Sequence, residues 1–534
     1  AIITFLIDEG PLYILRDVIV EDARGGVPVI FTPEQVRGLI GLKPGDAYAG
    51  REVRRAVSTL RDAYRQIGYI DAQVRSEDLR VIGSSGVDLR LTVSEGERWR
   101  TGLVEIGGNE LTRQKVIRRR VEVYPDRWLD GKAVDLSGTL VTASGLFETR
   151  PQLGGAPRVV VQPPDPANPG YRDVYIEVQE TNTGSLSFGA AIDSDAGVVG
   201  AISLNQRNFD VADFPDSFDE LLRGRAFRGA GQTFDLTLQP GTEVSTYSLS
   251  LGEPSLFGTD YGLTGGVFFR DRVFREFDEQ RLGGSLSLSR RFGTRWVGSV
   301  SVRGENIDID EIDDDAAIDF FDVEGQSSLT SAGFRLARTT VDDRFRPTKG
   351  TRTEFSVDRV GALGGDYDFT RLDAEHTLFL TVDRDEFDRA TVLSLRGRAG
   401  LIPESGEAPV FERFYLGGRT FRGFDFRGIG PVGINNRTGQ PGDDQVGGDA
   451  LVFLGAEIEK PIWEDILAVV AFVDSGTITD ELGFDEYRVS VGAGVRLYVP
   501  QLGQAPLAFD FGFPLIDEDT DERQLFSFSL DLPF

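Results

Sequence analysis

Arginines set between aromatic rings are the most chemically pointed feature of this sequence. The stretch Phe414–Pro431 reads FYLGGRTFRGFDFRGIGP and interleaves Arg419, Arg422 and Arg427 with Phe421, Phe424 and Phe426. Its glycines let the backbone take tight or left-handed turns. A loop with this much aromatic surface has to pack against something, and an arginine buried with it needs a carboxylate. Other reactive side chains are scarce. The 534 residues include no cysteine, which rules out disulfides, thiolate metal sites and a cysteine nucleophile. The single histidine, His376, shares a face with Leu372, Leu378 and Leu380, the place of a lipid-facing or interfacial side chain rather than a base. The acidic loops Asp308–Asp315 and Asp517–Glu522 offer oxygen ligands to Ca²⁺, but without EF-hand spacing they read as solvated loops. No metal and no cofactor is expected, and no enzymatic activity. A net charge of −29 repels nucleic acid.

The elements that must position this loop are strands. From residue 183 to the end, apolar and polar residues alternate with period two. Phe234, Leu236 and Leu238 alternate with Thr233, Asp235, Thr237 and Gln239, and the same holds for Val489, Val491, Ala493, Val495 and Leu497. The final run places Phe526, Phe528, Leu530, Leu532 and Phe534 on one face. Sixteen such runs can be counted, among them 227–239 and 523–534, many longer than a globular strand and matching the roughly 9–11 residues that cross a bilayer. Short and long connections tend to alternate. A soluble sandwich would hide its apolar faces inside; strand number and length favour a closed antiparallel barrel with lipid outside and water inside. No apolar run reaches the roughly 18 residues of a membrane helix.

The first 182 residues repeat at a spacing near 85 residues: FLIDEG (5–10), LTVSEG (91–96) and YIEVQET (175–181) each end a short alternating strand. Within the unit from Tyr13 to Gly96 the order is strand, helix, helix, strand, strand. Thr32-Pro33-Glu34 reads as an N-cap followed by proline at the first helical position. Arg51–Ile67 places Val53, Ala56, Val57, Leu60 and Tyr64 on one helical face. The unit from Thr101 to Thr181 repeats this more loosely, with helices expected at Arg113–Val121 and Asp135–Ala143. The expected organisation is 1–10 as the last strand of a preceding unit, 11–97 and 98–182 as two units, and 183–534 as the barrel, with a long loop near 403–446. On this reading the natural protein extends further at its N-terminus.

Tandem strand-helix-helix-strand-strand units ahead of a sixteen-stranded barrel resemble the POTRA–barrel outer-membrane assembly superfamily. The motif carrying most of the resemblance is Arg422-Gly423-Phe424, which matches an RGF/Y motif in the long loop after the eleventh strand. The resemblance implies a fold of α+β POTRA repeats followed by a 16-stranded transmembrane β-barrel. It also implies that the loop folds back into the lumen, where Arg422 meets Asp474 of an FxDxG pattern (Phe472 to Gly476) and Glu457. Alternation agrees, since Val452, Leu454, Ala456 and Ile458 on the lipid face turn Glu457 inward. A carboxylate next to an arginine has a lowered pKa and does not suit a catalytic acid.

The implied function is that of a BamA-like assembly factor, folding and inserting β-barrel proteins through a lateral seam between first and last strands. Gly184 and Gly189 add little packing to that seam, and Pro533, next to the terminal Phe534, lacks a ladder N–H. The implied partners are unfolded outer-membrane proteins, accessory assembly lipoproteins and outer-membrane lipid, with no nucleic acid; the POTRA units lie in the periplasm. Three readings stay open beside it: a TamA-like factor, a two-partner-secretion pore and a passive porin. Whether Arg422 locks the loop or takes part in gating also stays open, as does whether the POTRA units receive partners or act as spacers.

Overall fold

A computed structural model describes residues 12–80, 83–150, 155–404, 406–484, 486–499 and 506–530. The expected strand at 1–10 therefore lies outside the described residues, as do Pro533 and Phe534. The chain divides into two compact units, one of residues 1–183 with 210–231, the other of 184–209 with 232–534.

In the first unit, β1 (Ile14–Asp22), α1 (Pro33–Ile40), α2 (Gly50–Gln66), β2 (Gln73–Arg80) and β3 (Gly86–Ser94) follow the expected order. The sheet runs β1-β3-β2, with β1 parallel and β2 antiparallel to β3. Thr32 accepts from the Gln35 amide while the Gln35 side chain accepts from the Thr32 amide, closing a capping box. Val53, Leu60 and Tyr64 of α2 pack on Leu89 and Leu91 of β3 in one buried core. A second copy follows: β4 (Arg100–Gly107), α3 (Gln114–Arg118), α4 (Gly131–Ala143), β5 (Arg158–Val161) and β6 (Tyr171–Glu177), with sheet order β4-β6-β5. Here α3 is five residues rather than the expected nine of 113–121. Its N-cap, Arg113, offers no acceptor to the free amides, unlike Thr32.

In each copy one sheet edge is covered and one is open. The edge of β1 is hydrogen-bonded by residues 45–48 and that of β4 by residues 126–129. On β2, by contrast, six of the eight side chains from Gln73 to Arg80 are largely exposed, and β2 pairs only with β3 among the described residues.

The second unit is a closed antiparallel barrel of sixteen strands. They begin with β7 (Gly184–Asp193), β8 (Gly197–Phe209), β9 (Gln232–Gln239), β10 (Val244–Glu253), β11 (Tyr261–Val273) and β12 (Asp278–Phe292). Next come β13 (Trp296–Asp310), β14 (Gly325–Thr339), β15 (Gly350–Val360), β16 (Phe369–Arg384) and β17 (Ala390–Leu401). The long loop carries three short strands, β18 (Gly423–Phe424), β19 (Val432–Ile434) and β20 (Pro441–Gln445). The barrel resumes with β21 (Ala450–Trp463), β22 (Leu467–Thr479), β23 (Arg488–Leu497), β24 (Leu507–Ile516) and β26 (Phe526–Leu530), with β25 (Arg523–Gln524) set aside from it. Leu186, Phe188, Val267, Leu282, Val300 and Leu454 are exposed on the outer surface, as a lipid-facing wall requires.

Two strand boundaries and the lumen differ from expectation. The run expected at 227–239 pairs only from Gln232, because Phe227, Gly229 and Gly231 take positive φ and break the ladder. The run expected at 523–534 begins at Phe526, because Arg523 and Gln524 pair with Phe424 and Gly423 instead. The lumen is not simply wet. Toward the end opposite Gly184 it is filled by a buried apolar cluster that includes Ile307, Phe320, Phe369, Phe411, Phe421 and Phe453. Its polar remainder includes a cavity of about 720 Å³ walled by Ser285, Ser299, Arg335 and Glu354.

Candidate functional site

The loop between β17 and β21 folds into the barrel and is held at two charged points. At the first, the Arg422 Nε and Nη2 donate to the two oxygens of Asp474 on β22 at 2.8 and 2.9 Å, a bidentate fork. The Arg422 Nη1 lies 2.5 Å from Glu457 on β21, and the Arg422 amide donates to Asp474 at 3.2 Å. The guanidinium also stacks on the Phe472 ring, 3.4 Å from its centroid. Burial alone would lower the Arg422 pKa, but hydrogen bonds and charge from Asp474 and Glu457 outweigh it and raise the value. Glu457 is shared with Arg496 at 3.3 Å, which in turn donates to Asp510 at 2.7 Å.

Sequence accounts for the close approach. Gly423 has φ 101°, a conformation favouring glycine, and its backbone lies against Gly512 of β24. A Cβ at residue 512 would stand 2.5 Å from the Gly423 nitrogen. Two glycines thus let the loop backbone touch the wall, and the Ser490 hydroxyl donates to the Arg422 carbonyl at 2.5 Å. Phe421 and Phe424, both fully buried, meet edge to face at 5.1 Å.

The second point was not visible in the motif. Glu412, at the start of the loop and 4% exposed, accepts from Arg281 of β12 at 2.8 Å. Arg303 and Arg371 lie 3.5 and 3.6 Å from it. Burial pushes the Glu412 pKa up, and the three arginines more than reverse this, leaving it lowered. Arg281 also pairs with Glu279 at 2.8 Å and Glu305 at 3.5 Å, so acid and base alternate through the cluster.

The loop reaches the strands that close the barrel as well. Arg419 pairs with Asp193, the last residue of β7, at 2.9 Å, and its amide donates to Asp195 at 3.0 Å. On the other flank β18 pairs with β25, just ahead of β26. Among the described residues, β7 and β26 are registered by one pair, Asp193 with Ser529. Gly184 and Gly189 lie on β7 opposite Gln206 and Ala201 of β8. His376 sits on the exposed face of β16, with Nδ1 2.9 Å from the Thr353 hydroxyl.

Arg427 departs from expectation. It lies between the rings of Tyr415 (4.0 Å) and Phe274 (4.2 Å) and forms no ion pair among the described residues.

A sixteen-stranded barrel with an inward loop anchored by arginine, preceded by tandem α+β units, defines a class. The Omp85 superfamily domain matches residues 226–534, and a POTRA domain, described as a surface antigen variable number repeat, matches 24–96. The chain belongs to the Omp85 superfamily: an outer-membrane barrel with POTRA structure on the periplasmic side. Among curated relatives, an outer membrane protein assembly factor BamA from Nitratidesulfovibrio vulgaris is 27% identical across 98% of this chain and 62% of its own length. The one from Neorickettsia risticii is 25% identical across 100% and 68%. The chain thus spans about two thirds of these relatives. Of solved structures, BamA from Haemophilus ducreyi lacking POTRA domains 1–3 aligns with TM-score 0.73 and 19% identity, over 95% of this chain and 99% of that one. CdiB from Acinetobacter baumannii aligns with TM-score 0.51 and 14% identity, over 98% and 91%.

Proposed function

We propose that this chain is the barrel and membrane-proximal part of a BamA-like assembly factor that folds and inserts β-barrel proteins into the outer membrane. Residues 98–182 act as a second POTRA unit. The exposed strand β2 accepts extended segments of unfolded outer-membrane proteins or accessory lipoproteins by strand addition. The barrel opens between β7 and β26, and incoming strands template on those edges. The observation that carries this reading is the loop's grip on both flanks of the closure, Arg419 on Asp193 and β18 on β25. A cavity of about 230 Å³ lies beside it, lined by Arg419, Arg422, Arg496, Asp510, Ser527 and Ser529. No enzymatic step is assigned: the Asp474 and Glu457 carboxylates are occupied by arginine, and His376 sits on the exposed outer face.

The test is insertion of an unfolded outer-membrane barrel protein by the full protein reconstituted in vesicles. A disulfide between Ser529→Cys and Asp193→Cys is expected to stop insertion, with recovery on reduction and with the Asp193→Cys single variant as control. Insertion unaffected by the tether, or a protein that only admits solutes in vesicle swelling, would sink the reading in favour of a porin.

A further inference from the structure

Two arginines at the end of the lumen opposite Gly184 lack the acid that their neighbours have. Arg275, Arg281, Arg413, Arg419 and Arg422 each form an ion pair with a carboxylate. Arg272 and Arg427 form none among the described residues. Both line one cavity of about 320 Å³. Arg272 is 9% exposed; among the described residues its Nη2 donates only to the Asp195 backbone carbonyl, at 3.0 Å, and its Nε has no partner. Its guanidinium lies 3.9 Å from the Phe426 centroid and 4.9 Å from that of Phe274. Arg427, with φ 59°, shares the Phe274 ring and forms no hydrogen bond through its guanidinium among the described residues. Burial holds the Arg427 pKa below its ordinary value, and the pull of Tyr415 and Glu279 does not make up for it.

All but one of the acids around the cavity are otherwise engaged. Arg275 takes Glu522 at 2.6 Å and Glu276 at 3.3 Å; Asp195 accepts from the Arg419 amide at 3.0 Å and Asp425 from the Phe426 amide at 2.7 Å. Glu279, opposite Arg272 in the ladder, is held by Arg281 at 2.8 Å. Glu243 also lines the cavity and forms no ion pair among the described residues. Ring faces return only part of the cost of burying a cation. Two buried guanidinium groups side by side still call for an anion.

We propose that this cavity binds a phosphate group between Arg272 and Arg427. A phosphate monoester carries about −1.5 to −2 at neutral pH and three acceptor oxygens, matching two cations and their free N–H groups. Its source is either free phosphate or the phosphorylated headgroup of a membrane glycolipid.

The test uses the full protein in an uncharged detergent, with folding checked by resistance to SDS before heating. Calorimetric titration with inorganic phosphate, and with micelles doped with a bisphosphorylated glycolipid or its dephosphorylated form, reads binding on the unaltered protein. Saturable binding of phosphate alone identifies the free ion; binding of the phosphorylated glycolipid, but not its dephosphorylated form, identifies the headgroup. Folded Arg272→Gln/Arg427→Gln protein is expected to lose about tenfold or more in affinity, and Glu243→Gln to gain. No saturable binding of either phosphate by the unaltered folded protein, or unchanged affinity in the double variant, overturns the proposal.

Discussion

The two charged anchors of the loop are opposite in sign. At Arg422 the loop carries a cation into a pair of wall acids; at Glu412 it carries an anion into three wall arginines. Reversed charges mean that a slipped or inverted loop would set like against like at both ends. The lesson is that the inward fold is specified by charge order, while the apolar cluster around it supplies bulk burial. A buried pair of this kind defines register more surely than it adds stability.

The largest effect is expected from Arg422→Ala, which leaves Asp474 buried without its partner. The cost is about 3–5 kcal/mol, read as a lowered midpoint in thermal or denaturant unfolding of the detergent-solubilised barrel. Glu412→Gln should cost less, about 1–3 kcal/mol, because Glu279 and Glu305 remain beside Arg281. If the anchors are independent, the double variant sums the two losses to within about 0.5 kcal/mol. A large coupling term would instead make them one unit and break the comparison.

A pH series sharpens the contrast. The folded Glu412 pKa lies below its ordinary value of 4.5, so its contribution is full above that value and fades as pH falls through the lower, folded one. The difference between unaltered protein and Glu412→Gln should therefore be flat from neutral pH to about 5 and shrink only in stronger acid. The smallest effect on stability belongs to Arg419→Ala, at most about 1 kcal/mol for a half-exposed pair. Its signature is faster formation of a disulfide between cysteines on strands of different barrels, once Asp193 is released.

Much of this was legible in the sequence. Period-two alternation places the strands, and the Arg422, Asp474 and Glu457 spacing follows the motif on which the family resemblance rests. Glu412 was not legible, because its partner Arg281 lies 131 residues away on another strand and no local periodicity links them. The ring under Arg422 was visible only as part of a pattern; that Phe472 is a stacking face depends on the inward turn of β22. The start of the last strand differs from expectation for a related reason: Arg523 and Gln524 keep strand character but spend it on the loop. Arg427 broke the simple rule that a buried arginine finds an acid, since aromatic faces took that place.

The apolar plug across one end of the lumen carries a consequence for permeability. Phe320, Phe369, Phe411 and Phe421 pack into one buried cluster there, an apolar layer that is costly for hydrated ions to cross. In a planar bilayer the closed protein should be electrically silent, and a current step should accompany only those events that pull the loop from its seat.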